Sequence, residues 1–139
     1  MSKESKKQKP RVVVIDDDEV TCLSISQMLR LRGYSISSFC SAEDALGWSG
    51  LADVDCIVTD VKMPRMDGER FLAEVIRRSY KAPVVMITGH GDISMAVRCL
   101  KAGAYDFVEK PFNDEVLVAS VRRGVEKAAL LRESEELHR

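Results

Sequence analysis

Three consecutive aspartates, Asp16-Asp17-Asp18, close one apolar run, Val12-Val13-Val14-Ile15, and a single one, Asp60, closes another, Cys56-Ile57-Val58-Thr59. Asp60 opens the loop Val61-Lys62-Met63-Pro64-Arg65-Met66-Asp67-Gly68, whose Pro and Gly are turn residues, so its carboxylate is displayed at a strand tip. If the two runs are neighbouring parallel strands, their carboxylates meet at one edge of a sheet and repel each other unless a cation sits among them. Mg²⁺ suits such a site: it takes one or two carboxylates, keeps waters and shares a phosphate oxygen. Asp17 and Asp60 would hold it, with Asp16 acting through water. Asp60 can then be read as a nucleophile forming an acyl phosphate, as a metal ligand, or as a cap of the turn that follows. Two further apolar runs end in Thr88 and Lys110, a hydroxyl and a compact cation suited to phosphoryl oxygens.

Five apolar, β-branched runs must position these groups: Arg11–Ile15, Tyr34–Phe39, Asp55–Thr59, Pro83–Thr88 and Tyr105–Val108. Between them the spacing predicts helices over Glu19–Leu31, Ala42–Ser49, Glu69–Ser79 and Ile93–Lys101, then a long one from Asn113 onward. In the first helix Leu23, Ile25, Met28, Leu29 and Leu31 make a broad apolar stripe, and Gly33 supplies the stop. Ser41 and Asn113 are placed as N-caps. Strict alternation of strand and helix implies a parallel sheet with helices on both faces, a doubly wound α/β fold. In such sheets ligands sit beyond the carboxyl ends of the strands, where Asp16, Asp17, Asp60, Thr88 and Lys110 all fall.

The chain has 139 residues, enough for one domain with a two-layer core plus tails. A net charge of −1 gives no basic field for nucleic acid or an anionic membrane. Lys3, Lys6, Lys7 and Lys9, with Arg11 just beyond them, make the first ten residues a basic tail without apolar partners, expected to be disordered. No stretch is apolar enough for a signal peptide or membrane span, which makes the cytoplasm the expected location. Cys22, Cys40, Cys56 and Cys99 are scattered and read as buried free thiols. Beyond residue 127 Leu130 and Leu137 stand one heptad apart among charges, as in a helix that leaves the domain as a linker or a short coiled coil.

Four segments carry a specific resemblance: Val-Val-Val-Ile-Asp16-Asp17-Asp18-Glu19, Thr59-Asp60-Val61-Lys62-Met63-Pro64-Arg65-Met66-Asp67-Gly68, Ile87-Thr88-Gly89-His90-Gly91-Asp92 and Lys101-Ala-Gly-Ala-Tyr-Asp-Phe-Val-Glu-Lys110-Pro111-Phe112. In this order they resemble the receiver domain of two-component response regulators over residues 11–127. The closest likeness is to the NtrC/DctD type of sigma-54-dependent regulators, with FixJ-type receivers sharing much of the same stretch. The resemblance implies a three-layer, flavodoxin-like α/β fold, its five-stranded parallel sheet ordered 2-1-3-4-5. It implies that Asp60 accepts a phosphoryl group from a sensor histidine kinase, that Asp17 and Asp60 ligate Mg²⁺ directly, Asp16 through water and Lys62 by its backbone carbonyl, and that Thr88 and Lys110 grip the phosphoryl oxygens. Thr88 and Phe107 would be the switch pair, and His90 and Lys62 would limit the access of water. A cis Lys110–Pro111 bond is also implied. The fourth helix, fifth strand and fifth helix would read the switch out to an output, expected to be transcription, and that face or the last helix could form a homodimer. Such a protein is a phosphorylation-controlled switch, not a dedicated enzyme.

Two other readings compete. Asp16-Asp17-Asp18-Glu19-Val20 also fits the Asp-x-Asp-x-Val pattern of haloacid-dehalogenase-like phosphatases, with Asp16 as nucleophile and Asp18 as acid/base. That class needs a late acidic pair and a cap, and Gly91-Asp92 offers one acid. The other is a receiver-shaped interaction module that is never phosphorylated. A flavin-binding flavodoxin ranks below both, since its first loop should be a Ser/Thr/Gly phosphate cradle and three aspartates repel phosphate.

Overall fold

A computed structural model describes residues 8–137, with the side chain of Leu137 excepted. Lys3, Lys6, Lys7 and His138 lie outside the described residues, as does most of the basic tail. The elements run β1 Arg11–Ile15, α1 Glu19–Leu31, β2 Ser35–Phe39, α2 Ala42–Leu46, a 3₁₀ helix Ser49–Asp53, β3 Cys56–Asp60, α3 Gly68–Arg77, β4 Val84–Thr88, α4 Ile93–Lys101, β5 Asp106–Glu109 and α5 Asp114–Leu137. All pairings are parallel and the strand order is β2-β1-β3-β4-β5, the doubly wound sheet the alternation predicts. Its direction of winding reverses between β1 and β3, so Asp16 and Asp60 end adjacent strands at the switch point.

Period-two alternation sends successive residues to opposite faces. Val13, Ile15, Ile57, Val84 and Met86 pack under α2, α3 and Cys99 of α4. Val12, Val14, Cys56, Val58, Val85 and Ile87 pack under α1 and α5. Central strands β3 and β4 are buried at every position, which is why they read as unbroken apolar runs.

Several expectations are corrected. The second helix ends at Leu46, not Ser49: Gly47 closes it, and the chain turns into the 3₁₀ helix. Trp48 stands between them and packs on Phe39 at 5.5 Å between ring centroids. In α1 the buried stripe is Cys22, Ile25 and Leu29, whereas Leu23 and Leu31 are 55% and 87% exposed. Strand β5 starts at Asp106 and includes Glu109. Of the thiols, Cys40 is exposed and the other three are buried, and burial pushes the Cys56 thiol up to about 12.

The last helix stays against the body beyond residue 127. Ala128 is buried, Arg132 pairs with Asp55 at the foot of β3, and Glu135 meets Lys81 at 2.8 Å. Leu130 is 65% exposed. At its other end Asn113 Oδ1 accepts from Val116 N–H at 3.0 Å, the cap the sequence suggests.

Candidate phosphoryl-acceptor site

β1 and β3 deliver three carboxylates to one rim, where oxygens of Asp16, Asp17 and Asp60 all lie within 4.8 Å of one another. Asp16 is 1% exposed and Asp60 9%, while Asp17 faces solvent. Burial raises the Asp16 pKa above its ordinary value; a hydrogen bond from Asp18 N–H opposes the rise and the nearby Asp60 carboxylate adds to it. Asp18 turns away to serve α1, accepting from Val20 N–H at 3.2 Å and from the Thr21 hydroxyl at 2.7 Å. Those two bonds, the hydroxyl first, hold its pKa below the ordinary value. An acid tied up as a helix cap is poorly placed to be the acid/base of the phosphatase reading.

Lys110 reaches across from β5, its Nζ 3.4 Å from Asp60 Oδ2. The opposite oxygen, Oδ1, faces the Lys62 N–H at 3.4 Å. Thr88 is 3% exposed, and its carbonyl accepts from Lys110 N–H at 2.8 Å, tying the ends of β4 and β5 together. Phe107 is half-buried against the α2/α3 core, and the Lys110–Pro111 bond is cis. The rim therefore brings together Asp16, Asp17, Asp60, Thr88 and Lys110, as the strand ends suggest. Lys62 Nζ points elsewhere, to Asp92 at 3.5 Å, and His90 is solvent-exposed with Nδ1 3.9 Å from Glu109.

The acid cluster suits a divalent cation. Asp16 Oδ2 is buried and, with Ser26 Oγ, is one of two buried side-chain oxygens among the described residues that lack a hydrogen bond. A hard cation facing it would supply the missing partner and relieve the carboxylate repulsion.

One residue of the site carries a constraint that its place in a turn did not reveal. Gly68 starts α3 directly behind Asp60: a Cβ there would lie 2.6 Å from the Asp60 carbonyl oxygen and 2.8 Å from Val61 Cα. Its N–H donates to Val61 C=O at 2.7 Å, and Asp67 caps the helix by accepting from Arg70 N–H at 2.9 Å. Only a glycine lets the helix seat so close to the strand end. Glu109 also borders the site, its carboxylate accepting from the Gly91 N–H in the loop beyond Thr88, a tie that no local signal in the sequence marks.

Residues 12–122 match the model of the response regulator receiver domain, and the chain belongs to that family. It is 40% identical over 130 residues to the C4-dicarboxylate transport transcriptional regulatory protein DctD of Rhizobium meliloti, covering 94% of this chain and 28% of that protein. It is equally, 40%, identical over 118 residues to the transcriptional regulatory protein FixJ of Azorhizobium caulinodans, covering 85% of this chain and 56% of that one. The chain thus spans about a quarter to just over half of the relatives it matches, 28% and 56%. The crystal structure of FixJ-N superposes with a TM-score of 0.79 at 38% identity, covering 86% of this chain and 96% of that one. NtrX from Brucella abortus, solved with ADP, gives 0.86 at 31% identity over 94% of this chain and 30% of that one.

Proposed function

We propose that this receiver accepts a phosphoryl group on Asp60 from a sensor histidine kinase and thereby switches an output. The observation that carries this reading is the meeting of Asp60 with the Lys110 ammonium at 3.4 Å inside a cluster of three carboxylates. A carboxylate oxygen of Asp60 attacks phosphorus as the P–N bond of a phosphohistidine protonated on its other ring nitrogen breaks; the ring keeps that proton and the P–N electron pair and leaves as neutral imidazole, and Asp60 becomes an acyl phosphate. Lys110 pairs with a phosphoryl oxygen as negative charge arrives, and the Thr88 hydroxyl donates to another. Asp16, Asp17, Asp60 and the Lys62 carbonyl would hold Mg²⁺, which supplies charge neutralisation for the anionic phosphoryl group. Slow hydrolysis of the acyl phosphate resets the switch, so the chain is a signalling device and not a dedicated enzyme.

Thr88 and Phe107 are the moving pair in this reading, and the face made of α4, β5 and α5 carries the change outward. Ile93, Val97 and Leu100 leave apolar surface on that face, fit for a partner or a second copy of the chain. Transcription is the output suggested by the relatives' names. In this reading residues 1–10 are the basic tail, 11–127 the receiver domain and 128–139 the linker toward what the protein controls, and the site of action is the cytoplasm. No helix among the described residues is long and apolar enough to cross a membrane.

The decisive experiment is labelling with acetyl phosphate and Mg²⁺. Wild type should gain an acid-stable, base-labile phosphoryl group, and Asp60→Asn should gain none. A label that survives Asp60→Asn and vanishes on Asp16→Asn would establish the phosphatase-like reading instead. An unlabelled wild type would leave an interaction module only. Light scattering with beryllofluoride and Mg²⁺ then asks whether the modified state assembles.

A further inference from the structure

The connection between β4 and α4, Gly89-His90-Gly91-Asp92, borders the rim and is exposed or half-buried throughout. Asp18, Ser41, Asp67 and Asn113 each cap the helix that follows them. Asp92 occupies the same position before α4 but makes no capping hydrogen bond; its carboxylate lies instead 3.5 Å from Lys62 Nζ, across the mouth of the site. A Cβ at Gly89 or Gly91 would meet nothing within 4 Å, so neither residue is wedged against a neighbour. Among the described residues, two side-chain clasps tie this loop to other elements. One is the Lys62–Asp92 pair. The other is Glu109 Oε2, which accepts from Gly91 N–H and lies 3.9 Å from His90 Nδ1.

The two clasps differ in kind. Lys62 is 73% exposed along its side chain and pairs with Asp92 through a solvent-screened ion pair. Glu109, 40% exposed, instead makes a charge-assisted bond to a backbone amide, which fixes the backbone of the loop directly. Its place is also pointed: Glu109 sits opposite Thr88 in the β4–β5 register and directly precedes Lys110.

We infer that Glu109 is a positioning residue whose carboxylate clasps the Gly91 N–H, holding the β4–α4 loop in the unphosphorylated arrangement until phosphorylation at Asp60 releases it. This rests on the reading of Asp60 as the acceptor. Release lets Asp92 exchange Lys62 for the uncapped amides at the start of α4, so the loop has a second set of contacts to move into. Removing the clasp therefore favours the released form before any phosphoryl group arrives.

Calorimetry of beryllofluoride binding with Mg²⁺, and amide hydrogen exchange at Gly91, test this on the full chain. Glu109→Ala should bind beryllofluoride about fivefold more tightly than wild type, the loss of one exposed charge-assisted bond from the resting state. Glu109→Gln keeps an oxygen acceptor and should fall between them. Gly91 should exchange faster in Glu109→Ala, and in wild type once beryllofluoride is bound. Unchanged or weaker binding by a folded Glu109→Ala, or Gly91 protection that persists in the bound wild type, would overturn the clasp. If Glu109→Ala does not fold, Glu109→Gln and the wild-type exchange decide alone. A wild type that fails to bind beryllofluoride overturns the reading of Asp60, and the clasp's role falls with it.

Discussion

The loop after β3 and the loop after β4 border the same carboxylate but are held by different kinds of contact. Behind Asp60, Gly68 is pressed against the strand backbone, Asp67 caps α3, and Phe71, Leu72 and Val75 are buried in the core below. Beyond Thr88, two glycines have open space around them, α4 starts uncapped, and Ile93 is 66% exposed. Packing fixes the first loop, whereas polar clasps at the surface hold the second. An interior packed like a crystal resists displacement, while a few exposed hydrogen bonds can be exchanged for others at little cost. The rim thus joins a rigid seat for the carboxylate to a compliant flank.

The sharpest way to break this contrast is to add one methyl group to each side. Gly68→Ala places a carbon 2.6 Å from the Asp60 carbonyl oxygen. It should cost about 3 kcal/mol in urea unfolding and reduce labelling of Asp60. The paired change, Gly89→Ala, adds a carbon to open space and should shift stability by less than about 0.5 kcal/mol. Equal costs at the two positions would remove the distinction.

Cation binding should stiffen the packed side further. At a tenfold excess of Mg²⁺ over its dissociation constant, unfolding free energy should rise by about 1.4 kcal/mol. The same experiment has a pH signature. Asp16 holds its proton more tightly folded than unfolded, so between the ordinary 3.8 and its raised value the folded state carries more protons. Asp16's contribution to the stability of the metal-free protein therefore falls as pH rises through that window, against the opposite trend of Asp18, Glu69, Glu74 and Glu115, whose pKa values folding lowers. Mg²⁺ should flatten that fall, as thermal melts at a series of pH values would show.

The caps give the smaller tests. Asp67→Ala removes a working cap and should cost about 1 kcal/mol by chemical denaturation. Asp92→Ala removes only an exposed ion pair and should cost less than about 0.5 kcal/mol.

Much of the seat was legible because it depends on local signals. β-branched runs announced β1, β3 and β4, and a polar residue at each strand end placed Asp16, Asp60, Thr88 and Lys110 on one rim. The caps Ser41 and Asn113 and the stop at Gly33 followed from the same short-range chemistry. What stayed hidden depends on partners distant in sequence. Nothing near Gly68 says that its helix abuts the Asp60 carbonyl, and nothing near Asp92 says that its carboxylate prefers Lys62 to its own helix. Glu109 reaches back eighteen residues to Gly91. Helical periodicity likewise assigned Leu23 and Leu31 to the core, although the sheet covers a narrower stripe of α1 than the apolar residues offer. The second helix was overextended because Trp48 is apolar and packs well, but from a turn against Phe39.

The uneven burial of the four thiols has a practical consequence. The thiolate is the form that reacts, and burial pushes the Cys22 and Cys99 thiols up and that of Cys56 to about 12. Cys40 alone is exposed, one residue past Phe39, whose carbonyl accepts from Asp16 N–H at 3.2 Å. A maleimide dye added to the native chain is thereby directed to Cys40, beside the acid cluster, and the protein offers its own attachment point for a spectroscopic reporter without an engineered cysteine.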